Sequence, residues 1–128
     1  MSHYLLSAET SFSAAHTLPG VDKCEKFHGH NWKVRLTIRV DEANLDGTGM
    51  GVDFRIIEQV AREAVSDFDH GYLNDLEPFK SRMPTAENVA SIVSERAASA
   101  LRHRGLRAKV NEVEVWETPG YRVTYRTE

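Results

Sequence analysis

Two histidines separated by one residue, His28 and His30, follow shortly after the only cysteine of the chain, Cys24. Along an extended strand successive side chains alternate between the two faces, so these two imidazoles point the same way. Two imidazoles that close on one face can bind one metal ion. Cys24 is near enough in sequence to act on whatever such a metal holds. The segment therefore predicts a metal site with a neighbouring thiol.

A third histidine, His16, joins this pair through the hydrophobic pattern of the chain. Residues 4–16 and 28–40 both carry mostly apolar side chains at even positions, which predicts two half-buried strands. If these strands pair antiparallel, the end of the first lies beside the start of the second, and His16 meets His28 and His30. A β-bulge in either strand would spoil this match. Three histidines are a standard ligand set for catalytic zinc, although imidazole also suits copper and iron.

The sequence leaves three interpretations of Cys24 open. It could be the fourth ligand of a closed, structural zinc site. It could instead be a reactive thiol whose pKa is lowered by the nearby cation. It could also be a small buried hydrophobe in a cytosolic protein. Its position in a loop, outside both strand patterns, favours the reactive thiol.

Three further polar residues stand at the ends of predicted elements. Asp69 and His70 close the first predicted helix, where a histidine interacts favourably with the helix dipole. The aspartate can also orient an imidazole that exchanges protons. Glu117 continues an apolar row on the third predicted strand. Its carboxylate lies either at an exposed strand end or in a site where it accepts two parallel N–H bonds from a guanidine-like ligand edge.

The remaining pattern predicts the elements that position these groups. Asp53 is the predicted N-cap of one amphipathic helix, which closes at residues 69–71. Thr85 is the predicted N-cap of a second helix, which ends near Gly105. Two further strands follow, the last over residues 121–126. The order ββ-α-α-ββ predicts an α+β domain, in which one four-stranded antiparallel sheet carries both helices on one face.

Composition narrows the class of partner. The chain has 128 residues, with 16 basic and 19 acidic side chains and a net charge of −3. This length fits one domain with a proper core. The charge balance argues against wholesale binding to nucleic acid or anionic membranes. Because no apolar run reaches membrane-spanning length and the start lacks the pattern of a signal peptide, we expect a cytoplasmic protein.

Six segments, taken in order, resemble the 6-pyruvoyltetrahydropterin synthase / 6-carboxytetrahydropterin synthase family. They are residues 12–16 (FSAAH), 24–31 (CEKFHGHN), 52–54 (VDF), 68–75 (FDHGYLND), 84–88 (PTAEN) and 117–118 (ET). Each alone is modestly specific, whereas their joint order and spacing are highly specific. The short gap between Cys24 and His28 is more similar to the bacterial 6-carboxytetrahydropterin synthases of queuosine biosynthesis. Trp32 is bulkier than some relatives carry, and as a neighbour of the site it bears on substrate preference.

The resemblance implies a fold, an assembly and a metal. It implies one tunnelling-fold synthase domain over residues 1–128, assembled with copies of itself as a homo-oligomer, usually a hexamer. The family's catalytic Zn²⁺ is held by three histidines, a role that falls on His16, His28 and His30. Cys24 matches the family's proton-transfer cysteine.

The resemblance also implies roles for residues further along the chain. Asp69 and His70 match the second acid–base pair of the family. Glu117 matches the glutamate that anchors the pterin ring, and Thr85 and Glu87 match residues that line the pocket. Three basic residues in predicted loops are candidates for binding a triphosphate by their charge: Lys26, Lys80 and Arg82.

The implied enzyme is a carbon–carbon/carbon–oxygen lyase that acts on a small pterin substrate. It converts 7,8-dihydroneopterin triphosphate to 6-carboxy-5,6,7,8-tetrahydropterin, with loss of triphosphate and acetaldehyde. The nearer alternative is 6-pyruvoyltetrahydropterin synthase, which has the same site and a different product. The alternative from another class is a non-catalytic structural zinc module, in which Cys24 is the fourth ligand.

Overall fold

The computed structural model describes residues 1–20 and 28–127, with the backbone alone for His28. Seven helices and strands follow one another in this order: β1 (His3–His16), β2 (His28–Asp41), α1 (Phe54–Ala64), β3 (Gly71–Tyr72), α2 (Ala86–His103), β4 (Lys109–Thr118) and β5 (Tyr121–Tyr125). Short 3-10 helices occupy Glu42–Asn44, Leu73–Asp75 and Glu77–Phe79. The predictions for Cys24 and Lys26 fall outside the described residues.

The five strands form one sheet in the order β3-β1-β2-β4-β5. The four longer strands are antiparallel to one another, which confirms the predicted α+β class and antiparallel pairing. The predicted number of four strands is wrong by one. Gly71 and Tyr72 add a fifth strand, which pairs parallel with Ala14 and Ala15. Two residues are too few for the alternating pattern that identifies a strand in a sequence.

The pairing of β1 with β2 follows the antiparallel register that the histidine pattern predicts. His16 lies opposite His28 and Ala14 lies opposite His30. The register continues without a shift to the other end of the pair, where His3 lies opposite Asp41. Between the paired residues of these two strands that the structure describes, there is therefore no bulge to separate the histidines.

Both helices pack their apolar stripes on the face of the sheet that carries the even positions of β2. The fully buried residues of this core include Trp32, Val34, Leu36, Ile38, Ile57, Val60, Val89, Val93, Val113 and Val115. α1 ends at Ala64, earlier than predicted, because tighter turns follow at Val65 and Ser66. Phe68, which follows those turns, is nevertheless completely buried. Neither helix is long and apolar enough to cross a membrane.

The predicted N-caps begin both helices, and the predicted glycine follows the end of α2. The carboxylate of Asp53 accepts the backbone N–H of Arg55 at 2.8 Å at the start of α1. The hydroxyl of Thr85 accepts the backbone N–H of Asn88 at 3.1 Å at the start of α2. Gly105 follows the end of α2 with a φ of +67°, a left-handed conformation that glycine adopts without strain.

The cap of α1 makes the stability of the protein depend on pH in acid. The guanidinium and backbone N–H of Arg55 lower the pKa of Asp53 from 3.8 to about 2. A carboxylate with a depressed folded pKa contributes stability above its unfolded pKa, and this contribution is lost as the pH falls through the folded pKa. We therefore expect the stability difference between wild type and Asp53→Asn to shrink as the pH falls from about 5 to about 2.

Urea unfolding across that pH range measures this difference. Asparagine is the matched replacement because it keeps an oxygen that can cap the helix while it removes the charge. A stability difference between the two proteins that does not change with pH would contradict the prediction.

Candidate metal centre and active site

Three polar side chains converge at one end of the sheet, on the face that the helices cover. One ligand atom from each of His16, His30 and Glu117 lies within 4.8 Å of the others. Oε1 of Glu117 is 3.1 Å from Nε2 of His30 and 3.8 Å from Nε2 of His16. The structure thus brings together two of the predicted metal ligands and the predicted pterin anchor. The backbone of His28 lies opposite His16, and its side chain is outside the described part of the chain.

The strands explain why these three residues meet. His16 is the last residue of β1, and His30 lies on β2 opposite Ala14, which shares a face with His16. Glu117 follows Val113 and Val115 in the apolar row of β4, as predicted. The pairing of β4 with β5 shifts between Trp116 and Thr118. Glu117 therefore lies in an irregularity of the kind that re-aims side chains next to functional sites.

His16 is completely buried, and both of its ring nitrogens have defined surroundings. Nδ1 lies 2.8 Å from the carbonyl oxygen of Pro84. Because a carbonyl can only accept, Nδ1 carries the proton and Nε2 presents its lone pair to the side of His30 and Glu117. The indole of Trp32 contacts the two imidazoles, with centroids 5.0 Å from His16 and 6.0 Å from His30. Trp32 is itself fully buried, so its bulk positions the imidazoles.

The chemistry of this cluster fits a divalent metal ion. Two imidazole nitrogens and a carboxylate oxygen are ligands that several divalent transition metals accept. A ligating histidine commonly donates its other ring N–H to a carbonyl or carboxylate, and the His16–Pro84 bond is of this type. Within the described ranges, His16, His30 and Glu117 are the group that could hold a metal.

Asp69 and His70 lie in the turn between α1 and β3, where β1 holds them. Oδ1 of Asp69 accepts the backbone N–H of Ser13 at 2.9 Å, and the carbonyl of Ser13 accepts the N–H of His70 at 2.6 Å. Oδ2 of Asp69 lies 3.0 Å from Nδ1 of His70. The Ser13 N–H, and then the His70 ring, hold the pKa of Asp69 below its ordinary value. The carboxylate is thus kept charged beside the imidazole.

The backbone of His70 has an uncommon conformation. Its φ is +59°, a left-handed value that costs a non-glycine residue about 1–2 kcal/mol. A Cβ at the following Gly71 would lie 3.3 Å from the carbonyl oxygen of Phe68, which is a tight contact with backbone. The imidazole of His70 is 84% exposed. It lines, together with His30, an open cavity of about 540 Å³.

The other predicted site residues lie at and before the start of α2. Thr85 is the N-cap, with its hydroxyl bonded to Asn88, and Glu87 is exposed in the first turn. Lys80 and Arg82 line a second cavity of about 330 Å³. Arg82 also pairs with Glu95 at 3.5 Å.

Three contributors to the site were missed by the sequence analysis. They are Ser13, the carbonyl of Pro84, and Asn74, whose amide accepts from the N–H of Thr17 at 2.9 Å and donates to the Thr17 carbonyl at 3.0 Å. All three lie inside the segments that carry the family resemblance. Each of their contacts joins residues far apart in sequence through at least one backbone atom, and such contacts leave no periodic signal.

These features define an α+β domain with a metal-competent polar cluster beside an open cavity. The family model described as 6-pyruvoyl tetrahydropterin synthase matches residues 5–128. A protein of Archaeoglobus fulgidus, provisionally named 6-carboxy-5,6,7,8-tetrahydropterin synthase, is 39% identical over 109 residues, which cover 84% of this chain and 89% of the relative. The 6-carboxy-5,6,7,8-tetrahydropterin synthase of Bacillus subtilis is 31% identical over 127 residues, which cover 94% of this chain and 84% of the relative.

A solved structure agrees over the whole chain. The 6-pyruvoyl tetrahydropterin synthase of Caenorhabditis elegans superposes with a TM-score of 0.83 at 28% identity, covering 100% of this chain and 98% of that one. The chain therefore belongs to the 6-pyruvoyl tetrahydropterin synthase family, whose synthases are lyases. The predicted family and the predicted tunnelling fold are confirmed.

Two substitutions of His70 separate its backbone strain from its imidazole. Both Gly and Ala remove the ring, but only alanine retains the Cβ that disfavours a positive φ. We expect His70→Gly to be more stable than His70→Ala by about 1 kcal/mol, measured as the free energy of unfolding in urea. The same pair at Gln59, an exposed position in the middle of α1, should give the opposite order, since glycine destabilises a helix interior. Equal stabilities at position 70 would show that its backbone is unstrained.

Proposed function

We propose that this protein converts 7,8-dihydroneopterin triphosphate to 6-carboxy-5,6,7,8-tetrahydropterin, with release of triphosphate and acetaldehyde, as a step of queuosine biosynthesis. The observation that carries the proposal is the cluster of His16, His30 and Glu117. It occurs in a chain that is 31% identical, over nearly its whole length, to a synthase of that name. The proposal treats residues 1–128 as one synthase domain that assembles into a homo-oligomer, a hexamer by family resemblance.

The proposed metal is zinc, held by His16, His28 and His30. Neutral imidazoles suit zinc, and the bond from Nδ1 of His16 to Pro84 leaves Nε2 as its ligand atom. The inclusion of His28 is supported by its backbone, which lies opposite His16 in the β1–β2 pair. Zinc bound here supplies Lewis-acid polarisation of the substrate's side-chain hydroxyls and stabilises negative charge that develops on oxygen.

Glu117 is proposed to bind the aminopyrimidine edge of the pterin. A carboxylate can accept two parallel N–H bonds from such an edge. Oε1 of Glu117 lies 3.1 Å from Nε2 of His30. A pterin ring bound to Glu117 would therefore place the carbon side chain of the substrate beside the metal ligands. Thr85 and Glu87 are proposed to line the same pocket from the start of α2.

Proton transfers are assigned to Cys24 and His70. Cys24 would move a proton between side-chain carbons of the substrate, and His70 would exchange a proton at another position. The assignment of His70 is supported by the cavity that its ring shares with His30. It is supported also by Asp69, whose charged carboxylate lies 3.0 Å from Nδ1. Lys80 and Arg82, which line the second cavity, would offer positive charge to the triphosphate.

One observation favours a second product. The Caenorhabditis elegans structure, which matches the full length of this chain, is of a 6-pyruvoyl tetrahydropterin synthase. That reaction eliminates triphosphate and retains the carbon side chain. The same cluster and the same cavity would serve it.

Product analysis separates the two reactions. Zinc-loaded protein is incubated with 7,8-dihydroneopterin triphosphate. The molecular mass of the pterin product is then measured by mass spectrometry, and any acetaldehyde released is trapped and quantified. We expect the mass of 6-carboxytetrahydropterin and one acetaldehyde for each substrate consumed. A pyruvoyl product without acetaldehyde would select the second reaction, and an unconsumed substrate would contradict both.

Metal content tests the site independently of turnover. We expect about one zinc per chain in wild type and a loss of that zinc in His30→Ala, because each of three protein ligands is needed for a catalytic zinc site. The control is His103→Ala. Nδ1 of His103 bonds the Ser99 carbonyl in the last turn of α2, so this variant should retain the metal. Mass spectrometry of the purified proteins gives the three values, and equal zinc in all of them would exclude His30 as a ligand.

A further inference from the structure

The start of α2 is joined to the end of β1 by a buried hydrogen bond. Pro84 immediately precedes the N-cap of α2, and its carbonyl oxygen lies 2.8 Å from Nδ1 of His16. Both residues are buried. A carbonyl just before an N-cap is outside the intrahelical pattern of bonds. That of Pro84 is therefore available for the imidazole.

A small hydrogen-bonded turn fixes the direction of this carbonyl. The N–H of Thr85 donates to the carbonyl of Met83 at 2.9 Å, which closes a three-residue turn centred on Pro84. Nδ2 of Asn88 donates to the same Met83 carbonyl at 2.8 Å. The backbone N–H of Asn88 donates to Oγ1 of Thr85 at 3.1 Å. Asn88 thus binds the turn on both sides of Pro84, and the fixed φ of proline suits such a turn.

The stability of α2 does not explain why residue 88 is an asparagine. At this third helical position a glutamate or glutamine reaches back to the N–H of the N-cap in a capping box. A carboxylate there would also interact favourably with the positive end of the helix dipole. Asparagine is a poorer helix former than either. What asparagine supplies is an N–H donor of the right length for the Met83 carbonyl.

We propose that Asn88 is a positioning residue of the metal centre. By fixing the turn at Met83, it holds the Pro84 carbonyl against Nδ1 of His16. That bond keeps the proton of the imidazole on Nδ1. The unprotonated Nε2 then faces His30 and Glu117. The inference rests on the proposed metal site. Outer partners of this kind set the orientation and tautomer of a ligating histidine, and their loss weakens metal binding.

Two measurements on Asn88→Ala test the proposal. The first is the dissociation constant for Zn²⁺, from competition with a chromophoric chelator. We expect it to rise about tenfold, the lower end of the range for outer partners, because Asn88 acts through one further peptide. The second is the tautomer of His16 in the metal-free protein, read from the ¹⁵N shifts of its ring. Wild type should hold the proton on Nδ1, and the variant should populate both tautomers.

The control is Asn111→Ala, the same change at the opposite end of β4 from Glu117. The side chain of Asn111 makes a long contact of 3.5 Å to Glu112. The control should keep the wild-type zinc affinity and the wild-type tautomer of His16. A change in the control as large as that in Asn88→Ala would overturn the proposal.

Asn88→Asp decides the question if the alanine variant does not fold. Aspartate supports the helix start but has no N–H for the Met83 carbonyl, so the His16 proton should again distribute over both ring nitrogens. A proton that stays on Nδ1 in the folded variant would overturn the proposal, whatever the zinc affinity. A wild type that neither binds zinc nor consumes the triphosphate would instead contradict the proposed function. The tautomers of the metal-free proteins would still decide the role of Asn88.

Discussion

The site depends on the burial of one imidazole. His16 is completely removed from solvent, and a buried polar group is costly unless its donors and acceptors are satisfied. The carbonyl of Pro84 satisfies Nδ1 at 2.8 Å, which commits Nε2 to the opposite side of the ring. His30 and Glu117 lie on that side. The position of the cluster therefore follows from the two nitrogens of this one buried side chain. Nδ1 bonds the backbone at the start of α2, and Nε2 faces the residues of the sheet.

The end of β1 and the residue that follows it organise the rest of the site through their backbone. Ser13 bonds both Asp69 and His70, and Thr17 is bonded on both sides by the amide of Asn74. His16 lies between these two anchors. One strand end thus fixes the proposed acid–base pair and the start of the segment that leads toward Cys24. Rigid elements that hold several site residues at once are what precise positioning requires.

The sequence predicts those parts of this arrangement that depend on local patterns. Alternation at period two places His16 and His30 on the apolar faces of their strands, and side-chain oxygens identify Asp53 and Thr85 as caps. The parallel strand at Gly71 and the carbonyl of Pro84 carry no such pattern, because each takes part through backbone groups that every residue has, with partners far away in sequence. Alternation places Glu117 on the face of Val113 and Val115, but its contact with His30 also depends on the register of β4 against β2. The register between strands far apart in sequence is decided by tertiary packing and cannot be read from alternation.

The opposite face of the sheet helps to keep the histidines where they are. A slip of one residue between β1 and β2 would turn every side chain to the wrong face and would move His30 out of the cluster. On that opposite face Arg35 lies directly across from Glu9 on β1 and from Glu114 on β4. It bonds them at 2.8 Å and 3.2 Å.

These charge pairs resist such a slip. Glu114 is only 6% exposed and also pairs with Arg122 of β5 at 3.2 Å. A slip that moves β2 would take Arg35 away from both carboxylates and leave the buried Glu114 with Arg122 alone, and the loss of a partner costs a buried charge more than an exposed ion pair contributes. The charges on one face therefore specify the register on which the cluster of the other face depends.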